Sequence, residues 1–174
     1  MKIALLGYGK MGQTIEKIAL SRGHEIVIKI DKDAESYDIS GAEVAIDFSI
    51  PDAAIHNISN CLNHSVPVIS GTTGWLDRYE EMETLCREKN GAFLYASNFS
   101  LGVNIFFELN KQLAKMMGNL EQYQVQIEEI HHKQKLDEPS GTAITLAEGV
   151  IEHTKHGQWE LDKATKENSI PITA

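Results

Sequence analysis

The sequence predicts an α/β protein in which a Rossmann-type parallel sheet over residues 1–102 is followed by an α+β domain over residues 103–174. Three observations carry this. Short apolar runs alternate with helix-period segments through the first half, as in βαβ units around a parallel sheet. The first run ends in Gly7-Tyr8-Gly9-Lys10-Met11-Gly12, a G-x-G-x-x-G turn that opens a helix and marks a nucleotide domain. After Gly118-Asn119 the chain changes character, with an alternating strand-like run, a loop rich in ionisable residues and one more helix.

Residues 2–7 read as a buried strand, 14–20 as a helix stopped by Ser21-Arg22-Gly23, and 24–30 as the second strand. In such a unit Gly7 permits the tight turn, Gly9 lets the backbone approach a pyrophosphate, and Gly12 allows close helix-to-strand packing. Asp31 ends the second strand, about 20 residues on, where a carboxylate accepts from adenosine ribose hydroxyls. The alternation continues with a strand at 43–48 and a helix to about Asn63, for which Ser49, Pro51 and Asp52 supply cap and first turn. A fourth strand at 66–70 leads into Gly71-Thr72-Thr73-Gly74, then a helix from Leu76 to Lys89 and a fifth strand at 92–96. Ligands of a parallel sheet gather at the carboxyl ends of its strands, where Phe48, the 71–74 loop and Ser97-Asn98-Phe99 fall. Phe48 and Trp75 read as core or wall residues. Gly-Thr-Thr-Gly is also an ordinary turn, and Asn98 also suits a cap for the helix after Ser100. That helix, 100–117, is expected to pack its apolar positions Val103, Phe106, Phe107, Leu109, Leu113, Met116 and Met117, with the passage between domains at 103–107. A strand is expected over 123–132, a helix from Pro139 to about His153, and then a polar stretch, 154–168, without apolar periodicity; His153, Lys155 and His156 are expected to be solvated.

The 174 residues suit one domain of ordinary size, or one domain plus part of another, and 42% hydrophobic content is enough for a core. A formal charge of −9, with 16 scattered Lys and Arg, leaves no basic footprint for nucleic acid. Cys61 and Cys86 lie in amphipathic segments without metal-ligand spacing, so reduced core thiols and no metal are expected. No apolar run approaches the roughly 18 to 20 residues of a membrane span, and the chain enters a strand at once, which predicts a soluble, cytoplasmic protein.

The most informative stretch is residues 129–143. His131 and His132 end the strand-like run, Lys135 adds a mobile charge, and Pro139-Ser140-Gly141-Thr142 opens the apolar-periodic run Ala143, Ile144, Leu146, Ala147, Val150, Ile151. Backbone N–H groups near Gly141 and Thr142 then point out of a new helix as an anion site. Successive strand residues face opposite ways, so only one of the two histidines shares the cleft with Lys135, and joint ligation of one metal is awkward. The segment reads as a carboxylate-binding pocket with an acid beside it.

This segment resembles the signature of the dihydrodipicolinate reductase family, E-x-H-H-x-x-K-x-D-x-P-S-G-T-A, and matches it at every fixed position from Glu129 through Asp137 to Ala143. The resemblance implies reduction of 4-hydroxy-tetrahydrodipicolinate to tetrahydrodipicolinate, with loss of water, by NADH or NADPH in lysine and diaminopimelate biosynthesis. It makes His131 the general acid, with Lys135 also catalytic, a role that suits histidine because its unperturbed pKa is about 6.5. It assigns the dicarboxylate substrate to His132, Lys135, Ser140, Gly141 and Thr142. It also makes Gly71-Thr72-Thr73 and Ala96-Ser97-Asn98-Phe99 the loops bordering the nicotinamide, beside Gly7, Tyr8, Gly9, Lys10, Met11, Gly12 and Asp31 as dinucleotide contacts. Residues 103–174 become the substrate-binding domain, and a homo-oligomer, a tetramer, is implied for a complete chain.

Two departures bear on these expectations. The glycine loop is one residue shorter than the common G-x-x-G-x-M-G form. The family also continues for some tens of residues past the position of Ala174, so the substrate domain is expected to be truncated. The 174-residue chain alone is then expected to bind dinucleotide with little reductase activity, and a longer chain to be active. A non-catalytic dinucleotide-binding fragment, and a dehydrogenase for another dicarboxylate, remain the alternatives.

Overall fold

A computed structural model of the protein describes residues 1–31, 36–131 and 138–174. The chain forms two compact units, Met1–Ala96 and Ser97–Ala174.

The first unit runs β1 (Lys2–Leu6), α1 (Lys10–Ser21), β2 (Glu25–Ile30), β3 (Val44–Asp47), α2 (Pro51–Asn63), β4 (Val68–Ser70), α3 (Tyr79–Glu88) and β5 (Phe93–Tyr95), with a short 3₁₀ turn, Leu76–Arg78, ahead of α3. Its sheet has the order β2-β1-β3-β4-β5, and every neighbouring pair is parallel. β1 is flanked on both sides, so Ile3, Ala4, Leu5 and Leu6 are all buried, whereas edge strand β2 alternates half-buried Ile26, Ile28 and Ile30 with exposed Glu25, Val27 and Lys29. Successive β1 residues face opposite layers. Ala4 and Leu6 pack with Ala54, Ile58 and Leu62 of α2 and Met82 of α3, while Ile3 and Leu5 pack with Ala19 of α1. The chain winds outward in both directions from β1, which puts the topological switch point between β1 and β3.

One local expectation fails here. Ser49 does not cap α2: Ile50 is the N-cap residue and Pro51 the first helical one, while the Ser49 hydroxyl donates to Asp47 Oδ1 at 2.7 Å. A buried carboxylate competes successfully for that hydroxyl.

The second unit comprises α4 (Leu101–Met117), β6 (Ile127–Glu128), α5 (Gly141–Ile151), β7 (Gln158–Leu161) and β8 (Ser169–Thr173). Its sheet has the order β6-β8-β7, with both pairs parallel. Two small cores, Ala114 with Val150 and Ile170, and Ala143 with Ala147 and Ile172, hold α4, α5 and the sheet together. Three expectations are corrected. The strand expected over 123–132 shrinks to Ile127–Glu128, because β8 offers partners only as Ile127↔Ile172 and Glu128↔Thr173; Val125 turns inward without joining a ladder. The stretch 154–168 contains β7, whose Gln158-Trp159-Glu160-Leu161 alternation is too short to register in sequence but whose Trp159 packs on both cores. Finally, α4 leaves Phe106, Leu109, Leu113 and Met116 exposed, since α5 covers only the side bearing Asn110 and Ala114.

Adjacent parallel strands need a return connection, and residues 162–168 provide an unusually short one. Asp162 and Asn168 take left-handed φ values of 63° and 60°, and the Glu160 carboxylate accepts from the Thr165 N–H at 2.7 Å, the Thr165 hydroxyl at 2.8 Å and the Lys166 N–H at 3.0 Å. The Lys166 N–H, first among these donors, pulls the Glu160 carboxyl down to about 2.

Cys61 is fully buried, which pushes its thiol up to about 12, and Cys86 is half-buried; both are free thiols. Among the described residues no helix is long and apolar enough to cross a membrane, and none of the His, Cys, Asp and Glu groups form a metal-binding cluster.

Candidate active site

At the switch point, Gly7, Tyr8, Gly9, Asp31, Phe48 and Ser49 help to line a cavity of about 190 Å³. The three glycines meet the requirements of a dinucleotide turn. Gly7 has φ +91°, and a Cβ there would sit 2.1 Å from Phe48 O; a Cβ at Gly12 would sit 2.2 Å from Gly7 O; over Gly9 nothing lies within 4 Å. Gly9 is also the N-cap of α1 and has no side-chain cap bond, so the first amides of α1, from Lys10 and Met11, face the space over it without a side-chain acceptor. These residues fit a dinucleotide. The Tyr8 hydroxyl donates to the Glu16 carboxylate, which also pairs with Lys29 Nζ at 2.6 Å, and Lys29 stands 4.9 Å over the Tyr8 ring. The hydrogen bond from Lys29, then that from Tyr8, holds the Glu16 carboxyl below the usual carboxylate range.

Sequence reading gave no role to Asp47, yet it organises this end of the sheet. It is fully buried; Oδ1 accepts from Ser49 Oγ at 2.7 Å and Asn57 Nδ2 at 2.9 Å, and Oδ2 from Ser70 Oγ and Thr72 Oγ1, each at 2.8 Å. Thr72 Oγ1 in turn accepts the Ser49 N–H at 2.9 Å, and the Trp75 indole N–H donates to Thr72 O at 2.6 Å. One carboxylate therefore ties the loop after β3 to the Gly71-Thr72-Thr73 loop after β4. Gly71 lets the Phe48 ring lie close against the loop, since a Cβ there would fall 2.3 Å from the ring and displace it. Trp75 is buried among Tyr79, Phe93 and Tyr95, a core residue as expected. The available signal was an acidic residue closing an otherwise apolar strand of a parallel sheet.

Ala96 N–H donates to Ser70 O at 3.2 Å and ends the first unit. Ser97, Asn98 and Phe99 belong to the second. There the Asn98 side chain accepts the Ser100 N–H at 2.8 Å just ahead of α4 but does not cap the helix, whose N-cap residue is Ser100 without a side-chain cap bond. Ser97 Oγ lies 3.1 Å from Thr145 Oγ1, which donates to Gly141 O at 2.8 Å, so this loop is fastened to the first turn of α5.

At that turn the structure brings together Glu129, His131, Ser140, Gly141 and Thr142. Ser140 is the N-cap of α5: its Oγ accepts the Ala143 N–H at 3.0 Å and donates to Glu129 Oε2. Glu129 Oε1 accepts the Ser140 N–H at 2.6 Å, and Oε2 lies 2.7 Å from His131 Nε2. Burial pushes the Glu129 carboxyl up, but the Ser140 O–H and N–H and the His131 ring together outweigh it and hold the group below its ordinary value. Gly141 and Thr142 form the first turn of α5, whose amides have no carbonyl one turn earlier. His132 and Lys135 lie outside the described residues. Glu129 thus joins His131 to the amino end of α5, a contact that its place in the sequence did not announce.

Residues 1–99 match the family described as dihydrodipicolinate reductase, N-terminus, and residues 102–174 the one described as dihydrodipicolinate reductase, C-terminus. The chain is 59% identical over 177 residues to a 4-hydroxy-tetrahydrodipicolinate reductase of Christiangramia forsetii, covering 100% of this chain and 74% of that protein. A protein of the same name from Lawsonia intracellularis is 32% identical, over 89% of this chain and 64% of its own length. A solved structure, dipicolinate-bound dihydrodipicolinate reductase from Paenisporosarcina sp. TG-14, superposes with a TM-score of 0.71 at 25% identity, over 99% of this chain and 77% of that one. With both halves matched in order and a 59% identical relative matched along the whole of this chain, the chain belongs to the dihydrodipicolinate reductase family.

Proposed function

We propose that the chain carries the nicotinamide-dependent reduction of 4-hydroxy-tetrahydrodipicolinate to tetrahydrodipicolinate, a step of lysine and diaminopimelate biosynthesis, with residues 1–102 holding the dinucleotide and 103–174 the substrate. The observation that carries this reading is the single carboxylate, Glu129, that joins His131 to the amino end of α5. When bound, the reduced nicotinamide supplies the hydride. The chain supplies the rest: the amides of Gly141 and Thr142, with Lys135 and His132, hold a substrate carboxylate, and His131 gives the proton that quenches the added electron density. The family relative solved with dipicolinate, a planar dicarboxylate, supports that substrate class. Oxidation of NADH or NADPH on addition of freshly made substrate tests the reading; no oxidation by enzyme that binds dinucleotide leaves a binding module.

Lys135→Ala lowers both substrate affinity and turnover, because a charge-assisted contact to a carboxylate anchors and orients the ring. Steady-state kinetics separate the two parameters, and a change in thermal stability alone would make Lys135 a surface lysine.

For the cofactor we infer a mild preference for NADH. Asp31 lines the cavity and repels a 2′-phosphate, while a free ribose hydroxyl donates to it. Lys29 supports this, since its ammonium is engaged by Glu16 and Tyr8. Lys32, which would offset the repulsion, lies outside the described residues. Comparing kcat/KM for the two cofactors tests the inference, and a large preference for NADPH rejects it.

A further inference from the structure

Glu129 sits at the end of β6, where its own N–H donates to Thr173 O at 2.9 Å, so its backbone is fixed by the sheet. Its side chain is 11% exposed, against 40% for His131. The carboxylate takes three donors: the Ser140 N–H, the Ser140 hydroxyl and a ring nitrogen of His131. The first two cannot reverse. A backbone amide only donates, and Ser140 Oγ is already the acceptor for the Ala143 N–H, which leaves its hydrogen for Glu129. An ionised carboxylate only accepts, and the Ser140 donors favour the ionised form of Glu129. The imidazole nitrogen facing it, Nε2 at 2.7 Å, must therefore carry a hydrogen.

We propose that Glu129 is a positioning residue that sets the tautomer of His131, holding Nε2–H so that Nδ1 is the atom that delivers and regains the reaction's proton. The proposal rests on the reading of His131 as the acid. In the step, the Nδ1–H bond of the imidazolium breaks and its electron pair stays on the ring. The proton passes to the substrate carbon made electron-rich by hydride addition, leaving neutral imidazole as the Nε2–H form. Water restores the proton at Nδ1. The same carboxylate grips the Ser140 N–H, so the proton donor and the anion-binding turn of α5 are held by one group and keep a fixed separation.

Glu129→Gln is isosteric and separates tautomer control from mere support. The amide oxygen still accepts the Ser140 N–H, but the amide NH₂ now faces Ser140 Oγ and His131 Nε2, which forces the neutral ring to the Nδ1–H form. Long-range ¹H–¹⁵N spectra of the ¹⁵N-histidine-labelled protein read the tautomer directly. The expected result is Nε2–H in the unmodified protein and Nδ1–H in Glu129→Gln, with kcat lowered by about 10²-fold or more and with KM, dinucleotide affinity and unfolding midpoint little changed. Ser140→Ala, which loosens the cap but keeps the His131 contact, should retain Nε2–H. An Nδ1–H ring in the unmodified protein overturns the proposal even if Glu129→Gln fails to fold, as does unchanged kcat or an unchanged tautomer in a folded Glu129→Gln. Full turnover in His131→Gln would remove the acid itself, and the tautomer spectra would still show whether Glu129 sets the ring.

Discussion

Replacing His131 with glutamine lowers turnover by about 10² to 10⁴-fold while leaving dinucleotide affinity near that of the unmodified enzyme, because a general acid acts at the chemical step and not in cofactor binding. Glutamine keeps a polar side chain of similar reach that can still donate to Glu129, so that contact should be kept. The reaction then loses only a group able to give up a proton near neutrality. Single-turnover measurements with prebound cofactor isolate this step. If turnover is unchanged, the proton comes from elsewhere and His131 is an exposed partner of Glu129.

Asp47→Ala should be the most damaging substitution in the first unit. It strands the hydroxyls of Ser49, Ser70 and Thr72 and the amide of Asn57, all now served by one fully buried carboxylate. Donors left buried without an acceptor cost about 1–3 kcal/mol each, reduced where they find one another, so a net loss of about 3–5 kcal/mol is expected. Denaturant unfolding measures it. Dinucleotide affinity should fall with stability, since the loops after β3 and β4 are no longer tied together. A loss below about 1 kcal/mol with normal dinucleotide binding would mean that the four donors re-pair or are hydrated without cost.

Much of this was legible in the residues. The glycine turn could be read because its constraints are local: a positive φ at Gly7 and close approaches at Gly7 and Gly12 exclude side chains whatever the rest of the fold does. The strand–helix alternation was legible because β1, β3 and β4 are inner strands covered on both faces and, past Lys2 at the start of β1, are apolar except for Asp47 and Ser70 at the ends of β3 and β4. The helix start at Ser140-Gly141 announced itself by cap chemistry. Other features were hidden for equally physical reasons. β7 is only Gln158–Leu161, too short for a period to emerge, and Tyr123 to Gln126 alternate like a strand although β8 gives them no ladder partner. The apolar residues of α4 reveal that the helix has apolar faces, but not which of them α5 covers.

The sequence alone was enough to establish a parallel sheet with a glycine-rich nucleotide turn, the helix start after Pro139, and the family, because each depends on residue types at fixed spacing along the chain. Tertiary structure decided what those residues do to one another. Asp47 and Thr72 become partners only when β3 and β4 pair side by side within the first unit, and Glu129 and Ser140 only when the end of β6 meets the amino end of α5 within the second. Hydrogen bonds need atoms about 3 Å apart, and no spacing along the chain announces that two loops will meet.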